Sequence, residues 1–73
     1  MAQITLEPGE SFEHYHSEAS QSVLLEGLAD FEYGGTRSPM IIGKEILIAS
    51  DTIHTMYNTG EKNAVINCIH LLN

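Results

Sequence analysis

The sequence predicts an all-β fold, a small antiparallel barrel or sandwich. Glycine, proline and asparagine residues that favour turns recur at short intervals along the 73 residues. The segments between them are about four to nine residues long and rich in β-branched and aromatic residues, a composition typical of strands. No segment has the periodicity of an amphipathic helix. A single domain over residues 1–73 is therefore expected.

The positions of these turn-forming residues divide the chain into eight predicted strands. Turns at Pro8-Gly9, Gly27 and Gly34-Gly35 follow the first, third and fourth strands, and the polar run 58–63 precedes the last. The segment 12–16 alternates polar and apolar residues, as a half-buried strand does. The predicted strands are residues 3–7, 12–16, 21–26, 29–33, 36–41, 46–48, 52–56 and 64–71.

Two of these segments lack alternation, which predicts that both of their faces are covered. They are residues 45–49 and 64–72. A chain of this size covers both faces of a strand most easily by pairing with a second copy, which also removes exposed sheet edges. We therefore predict a homodimer.

The composition limits the partners and the compartment. Ten acidic and three basic residues give a formal charge of -7, which repels a phosphate backbone, so nucleic acid is not an expected partner. No apolar stretch approaches the ~18 residues that a membrane helix needs. Cys68 is the single cysteine, so no intrachain disulfide can form. We expect a small acidic protein of the cytoplasm.

Two histidines mark the candidate site. His14 and His16 lie one residue apart, so on a strand they share a face with Phe12. Imidazoles placed in this way can hold a transition metal, although an HxH pair alone is a weakly specific motif. The alternative is a polar lining for a cavity.

The block from His14 to Gly27 resembles the first motif of the cupin superfamily, and Gly43, His54 and Asn58 stand at the spacing of the second. The resemblance covers most of the chain. It implies a minimal cupin of the conserved-barrel type, a jelly-roll or double-stranded β-helix. It further implies a divalent transition metal, one of iron, nickel, zinc, copper or manganese, held by His14, His16 and His54.

The departures from the family pattern are as informative as the matches. Ala49 stands where proline is usual, Asp51 where a second glycine is usual, and Ser20 at the position of the glutamate ligand. A hydroxyl is a poor ligand, so we expect Ser20 to bind a metal-bound water instead. Glu18, in a predicted turn, and Gln21, on the opposite face, are weaker candidates for the missing ligand.

A three-histidine site without the carboxylate keeps more positive charge, so a small anionic ligand is expected. Two functions stay open: a dioxygenase-like or isomerase-like metalloenzyme, and a non-catalytic sensor, carrier or storage dimer. No general base is evident among the predicted pocket residues. Cys68 and His70 share a face of the last strand and are interpreted as structural. The predicted pocket residues beside the histidines are Phe12, Ser20, Ser22 and Met56.

Overall fold

The computed structural model describes residues 2–15 and 17–71 and contains eight strands in that part of the chain. They correspond to the eight predicted strands, with ends shifted by up to two residues. No helix able to cross a membrane was found among the described residues. The strands are β1 (Ala2–Leu6), β2 (Ser11–His14), β3 (Ser20–Glu26), β4 (Ala29–Tyr33), β5 (Thr36–Pro39), β6 (Glu45–Ile48), β7 (His54–Asn58) and β8 (Ala64–His70).

The strands form two four-stranded antiparallel sheets. The first sheet has the order β1-β8-β3-β6 and the second has the order β2-β7-β4-β5. Alternate residues of each strand face inward, and the buried side chains of both sheets form one hydrophobic cluster. Its fully buried members include Leu24 and Ile66 from the first sheet and Met56 from the second.

The connections bring particular strand ends together at one end of the molecule. Strand β2 ends at His14 and continues through residues 15–19 into β3, and β6 continues through residues 49–53 into β7. Because both loops are short, the end of β2 lies near the start of β3, and the end of β6 lies near His54. We call this end the histidine end.

The outward faces of the two sheets differ in chemistry. On the second sheet, Arg37 Nε donates a hydrogen bond of 2.9 Å to Asp30, and its guanidinium lies 3.7 Å from the centre of the Tyr57 ring. On the first sheet, Gln21 lies between Leu47 and Ile69 on the neighbouring strands. The second sheet therefore presents a charged surface, and the first a largely uncharged one with both polar and apolar side chains.

Leu47 tests the expectation that residues 45–49 are covered on both faces. Ile48 is buried and Ile46 is half-buried, but the Leu47 side chain is 65% exposed. Within the single chain the inward face of this strand is buried or half-buried, while its outward face, with Glu45 and Leu47, is exposed. The expected cover on the outward face therefore depends on a second copy of the chain, which stays a prediction.

Asn58 closes the turn that follows β7. Its side-chain amide donates hydrogen bonds to the carbonyl oxygens of Leu6 (2.9 Å) and Lys62 (2.8 Å), and its Oδ1 accepts one from Gly60 N (2.8 Å). The residue is buried. The asparagine of the second motif is therefore structural, since it joins β1 to the turn before β8.

The Asn58→Ala variant should lose about 2–4 kcal/mol of unfolding free energy, because buried carbonyl groups lose their hydrogen-bond donors. Chemical denaturation measures this loss. Asn63→Ala is the control, since Asn63 is exposed in the same turn. Equal stability of the two variants would contradict the assigned role.

Candidate metal centre

His14 and His54 are direct neighbours across two antiparallel strands. The register of β2 and β7 pairs their Cα atoms, and the centres of their imidazole rings are 5.4 Å apart. Aromatic rings flank the pair: Phe12 lies 5.2 Å from His14, and Phe31 stacks 5.7 Å from His54. The second sheet therefore places two imidazole rings side by side against an apolar wall.

His54 is the more enclosed of the two, with 1% of its surface exposed. Its Nδ1 atom lies 3.3 Å from the carbonyl oxygen of Thr52. When the Nδ1 proton points to this carbonyl, Nε2 keeps its lone pair available for a metal, an arrangement common among metal-binding histidines. Since a carbonyl oxygen can only accept a hydrogen bond, this contact favours the tautomer with the proton on Nδ1.

Ser20 and Ser22 lie on the inner face of the first sheet, both at most 1% exposed. Within the described part of the chain, the Ser20 hydroxyl has no hydrogen-bond partner. The Ser22 hydroxyl lies 3.5 Å from the thiol of Cys68. Since β3 begins at Ser20, its unpartnered hydroxyl is at the histidine end, where a water or ligand atom could satisfy it.

A hydrogen bond joins the two loops of the histidine end. Tyr15 donates its phenolic proton to Asp51 at 3.1 Å, and this bond, together with the nearby negative charge, raises the pKa of Tyr15. Asp51 has a φ of 57°, in the left-handed region that glycine adopts most readily. This conformation explains why glycine is usual in the family at this position.

Ala49 makes a contact that proline could not. Its backbone N–H donates a 3.1 Å hydrogen bond to the Tyr33 hydroxyl. Proline has no N–H, so the replacement of the usual proline by alanine allows this link between the loop and β4. Tyr33 is also the cross-strand neighbour of His54.

The structure brings together part of the predicted site. His14 and His54 meet, but His16 lies outside the described residues. Among residues 2–15 and 17–71, no group of three or more His, Cys, Asp or Glu side chains forms a metal cluster. The three-histidine site therefore stays a prediction, with two of its imidazoles adjacent.

The other residues predicted to line the pocket or to replace the missing ligand lie in different parts of the structure. Phe12 contacts His14, and Met56 is fully buried in the core between the sheets. Gln21 lies on the outer face of its sheet. Glu18 lies 3.9 Å from His70 Nδ1, at a half-exposed position.

Sequence reasoning missed Phe31 and Tyr33 as neighbours of His54. Strand β4 lies beside β7, and this pairing aligns Tyr33 with His54. The alternation of side chains along a strand could have placed Phe31 on the inner face of the sheet from the sequence alone. The strand order that brings it to His54 could not be derived from residue spacing alone.

Comparison with models of known protein families shows which family this chain belongs to. A family model described as a cupin domain matches residues 2–70. The chain belongs to the cupin family. No curated protein matches it significantly.

Several solved structures share the cupin fold of this chain. A predicted oxalate decarboxylase from Thermotoga maritima is 29% identical, with a TM-score of 0.83, over 96% of this chain and 64% of that one. The cupin domain of an XRE family transcriptional regulator from Enterobacter cloacae is 20% identical, with a TM-score of 0.83, over 97% and 79%. The chain therefore spans about two thirds to four fifths of the length of these two structures.

A de novo designed double-stranded β-helix matches over 96% of both chains, with a TM-score of 0.80 and 20% identity. The cupin described here is thus a double-stranded β-helix, as its motifs predicted.

Gly27 ends the first cupin motif for a steric reason. Its φ is 85°, and a Cβ atom added there would lie 2.6 Å from the carbonyl oxygen of Asn63. Both the conformation and the contact require glycine. The motif residue therefore maintains the approach of the β3–β4 turn to the start of β8.

Proposed function

We propose that this cupin binds a divalent transition metal through His14, His16 and His54 and presents it to a small anionic ligand. The observation that carries the proposal is the pair of adjacent imidazoles, with His54 Nδ1 placed against the Thr52 carbonyl. The unpartnered Ser20 hydroxyl on the facing sheet supports it. These donors fit iron, nickel, zinc, copper or manganese.

The absence of a carboxylate at Ser20 shapes the ligand preference. Neutral imidazoles leave the charge of a divalent ion uncompensated, so an anionic ligand is favoured. One structural neighbour is described as a predicted oxalate decarboxylase, a name that implies a small carboxylate. The ion, when bound, would supply Lewis acidity or oxygen activation.

The Ser20→Glu variant tests whether Ser20 faces the metal. Without metal, the buried carboxylate should lower the melting temperature, because no partner compensates its desolvation. With metal it should bind the ion, raise the affinity by roughly 10-fold and reverse the loss of stability. Thermal unfolding with and without added metal measures both effects.

Ser22→Glu is the matched control. Ser22 is equally buried on the same inner face, but its hydroxyl faces Cys68. It should lose stability and gain nothing from metal. An equal response of the two variants to metal would place Ser20 away from the ion.

A non-catalytic binding module is the second candidate. The observation that favours it is the aromatic surroundings of the histidines, since Phe12 and Phe31 carry no titratable proton and the Tyr33 hydroxyl accepts a hydrogen bond from the Ala49 N–H. Oxygen uptake by metal-loaded protein across small thiols, diketones and phenolic acids separates the two functions. Uptake with any of them supports an oxygenase, and no uptake supports the binding module.

We also propose that the cupin acts as a homodimer through the outward face of the first sheet. On this face, Gln21 pairs across the strands with Leu47 and Ile69, and Val23 pairs with Glu45 and Asn67. Glu45 is the one ionisable side chain in these two cross-strand rows. The corresponding two rows of the second sheet contain four acidic or basic residues, which are Glu13, Asp30, Glu32 and Arg37. Two copies with a charge of -7 can approach best through their least charged face.

The exposed apolar side chains on this face agree with a second copy as its partner. Leu47 is 65% exposed and Ile69 38% exposed, and they flank Gln21 in adjacent strands. Covering them in a symmetric interface would also satisfy the expectation for residues 45–49. The free thiol of Cys68 fits the proposed cytoplasmic location.

A further inference from the structure

A cavity of about 270 Å³ opens between β5 and β6. Each of these strands is one of the two edge strands of its sheet, so the cavity lies at the side of the barrel, where the two sheets are not joined by hydrogen bonds. We call it the lateral cavity. Its volume is near the lower end of the range for small-molecule sites. Six of its lining residues are Phe31, Tyr33, Ser38, Ile41, Lys44 and Ile46.

The lateral cavity shares a wall with the histidine pair. Phe31 lines the cavity and stacks against His54, with an angle of 27° between the ring planes. Tyr33 also lines it and is aligned with His54 across the strands. A molecule in the cavity would therefore be separated from the buried imidazole by one aromatic ring.

Lys44 gives this cavity a positive charge. It directly precedes β6, and residue alternation places it on the same side as Ile46 and opposite Glu45. Among the described residues, no carboxylate lies within ion-pair distance of its ammonium group. Because the chain as a whole repels anions, a local cation is needed to attract one.

The other two cations of the chain are placed elsewhere. Arg37 is bound to Asp30 and stacked on Tyr57, on the outside of the second sheet. Lys62 lines a separate groove beside Gly27 and Leu28. Lys44 is therefore the cation that the lateral cavity offers to a ligand.

We infer that the lateral cavity binds a small organic carboxylate with an apolar body. The carboxylate pairs with the Lys44 ammonium, and the body packs against Phe31, Ile41 and Ile46. This inference rests on the proposed function in one respect: the bound carboxylate would be the small anionic ligand proposed there. The contact with Lys44 itself does not require the metal.

Nuclear magnetic resonance titrations test the inference with benzoate, hexanoate and their neutral amides, benzamide and hexanamide. The protein is titrated as purified and again after treatment with a chelator. Each carboxylate should bind more tightly than its amide in both forms. Lys44→Gln should weaken the carboxylates by roughly 5- to 10-fold and leave the amides unchanged, because only the charge-assisted contact is lost.

Lys62→Gln is the control, since it removes the same charge at the separate groove. Unchanged affinity in this variant supports the inference. Equal weakening by both variants would assign the effect to net charge and overturn it, as would equal binding of carboxylates and amides. A Ser38→Leu variant, which fills the cavity from β5, should weaken all four probes, and unchanged binding would contradict the location.

The same samples separate this inference from the metal proposal. Lys44→Gln should leave the metal content unchanged. Binding that depends on Lys44 in protein without metal supports the lateral cavity even if the metal proposal fails. A metal-loaded protein that binds none of the four probes overturns the inference and leaves the metal proposal intact.

Discussion

The His54→Ala variant is expected to lose metal affinity by about 100-fold or more. Loss of an outer partner of a metal ligand already costs 10- to 100-fold, and this substitution removes a ligand itself. Because His54 is fully enclosed, its removal also leaves a cavity, and the apo variant should be less stable than the wild type. Competition titration with a chromogenic chelator measures the affinity.

Two further variants separate coordination from folding. His14→Ala removes the half-buried member of the pair and should also abolish tight binding, with a smaller loss of stability. His70→Ala should keep the metal, since His70 is half-exposed and lies beside Glu18. Tight binding by His14→Ala and His54→Ala would contradict the assignment.

The Leu47→Glu variant is expected to convert the proposed homodimer into a monomer. Each dimer would carry two buried carboxylates at its interface, and we expect the dissociation constant to rise roughly 100-fold or more. Sedimentation equilibrium over a range of concentrations measures the change. The isolated chain should keep its fold, because Leu47 is exposed there.

Leu28→Glu is a matched control for this experiment. Leu28 is 64% exposed, close to the value for Leu47, but it lies in the turn between β3 and β4. It should leave the dimer unchanged. A monomeric wild-type protein, or equal dissociation of both variants, would refute the proposed interface.

The strands were predictable because short-range chemistry decides them. Gly27 marks a turn that only glycine fits, and Asn58 marks a turn closed by its own amide. The spacing of Gly43, His54 and Asn58 indicated the cupin fold, which the family match confirms. The family pattern also identified Asp51 as unusual, and its left-handed φ gives the physical reason.

The parts of the site that could not be predicted depend on contacts between distant segments. Phe31 meets His54 because β4 lies beside β7, and Lys44 gains significance because β5 and β6 are free edges. The hydrogen bond from Ala49 to Tyr33 likewise joins distant segments, at a position where the sequence departs from the family pattern. Residue spacing contains no information about such neighbours.

The most direct test of the metal site is the metal content of tag-free wild-type protein after reconstitution with each candidate ion and removal of the excess. The proposed site predicts about one tightly held ion per chain at neutral pH. It also predicts release near pH 4, since the histidines must be neutral to coordinate the ion. Failure to retain any of the five metals at neutral pH, or full retention near pH 4, would contradict the three-histidine site.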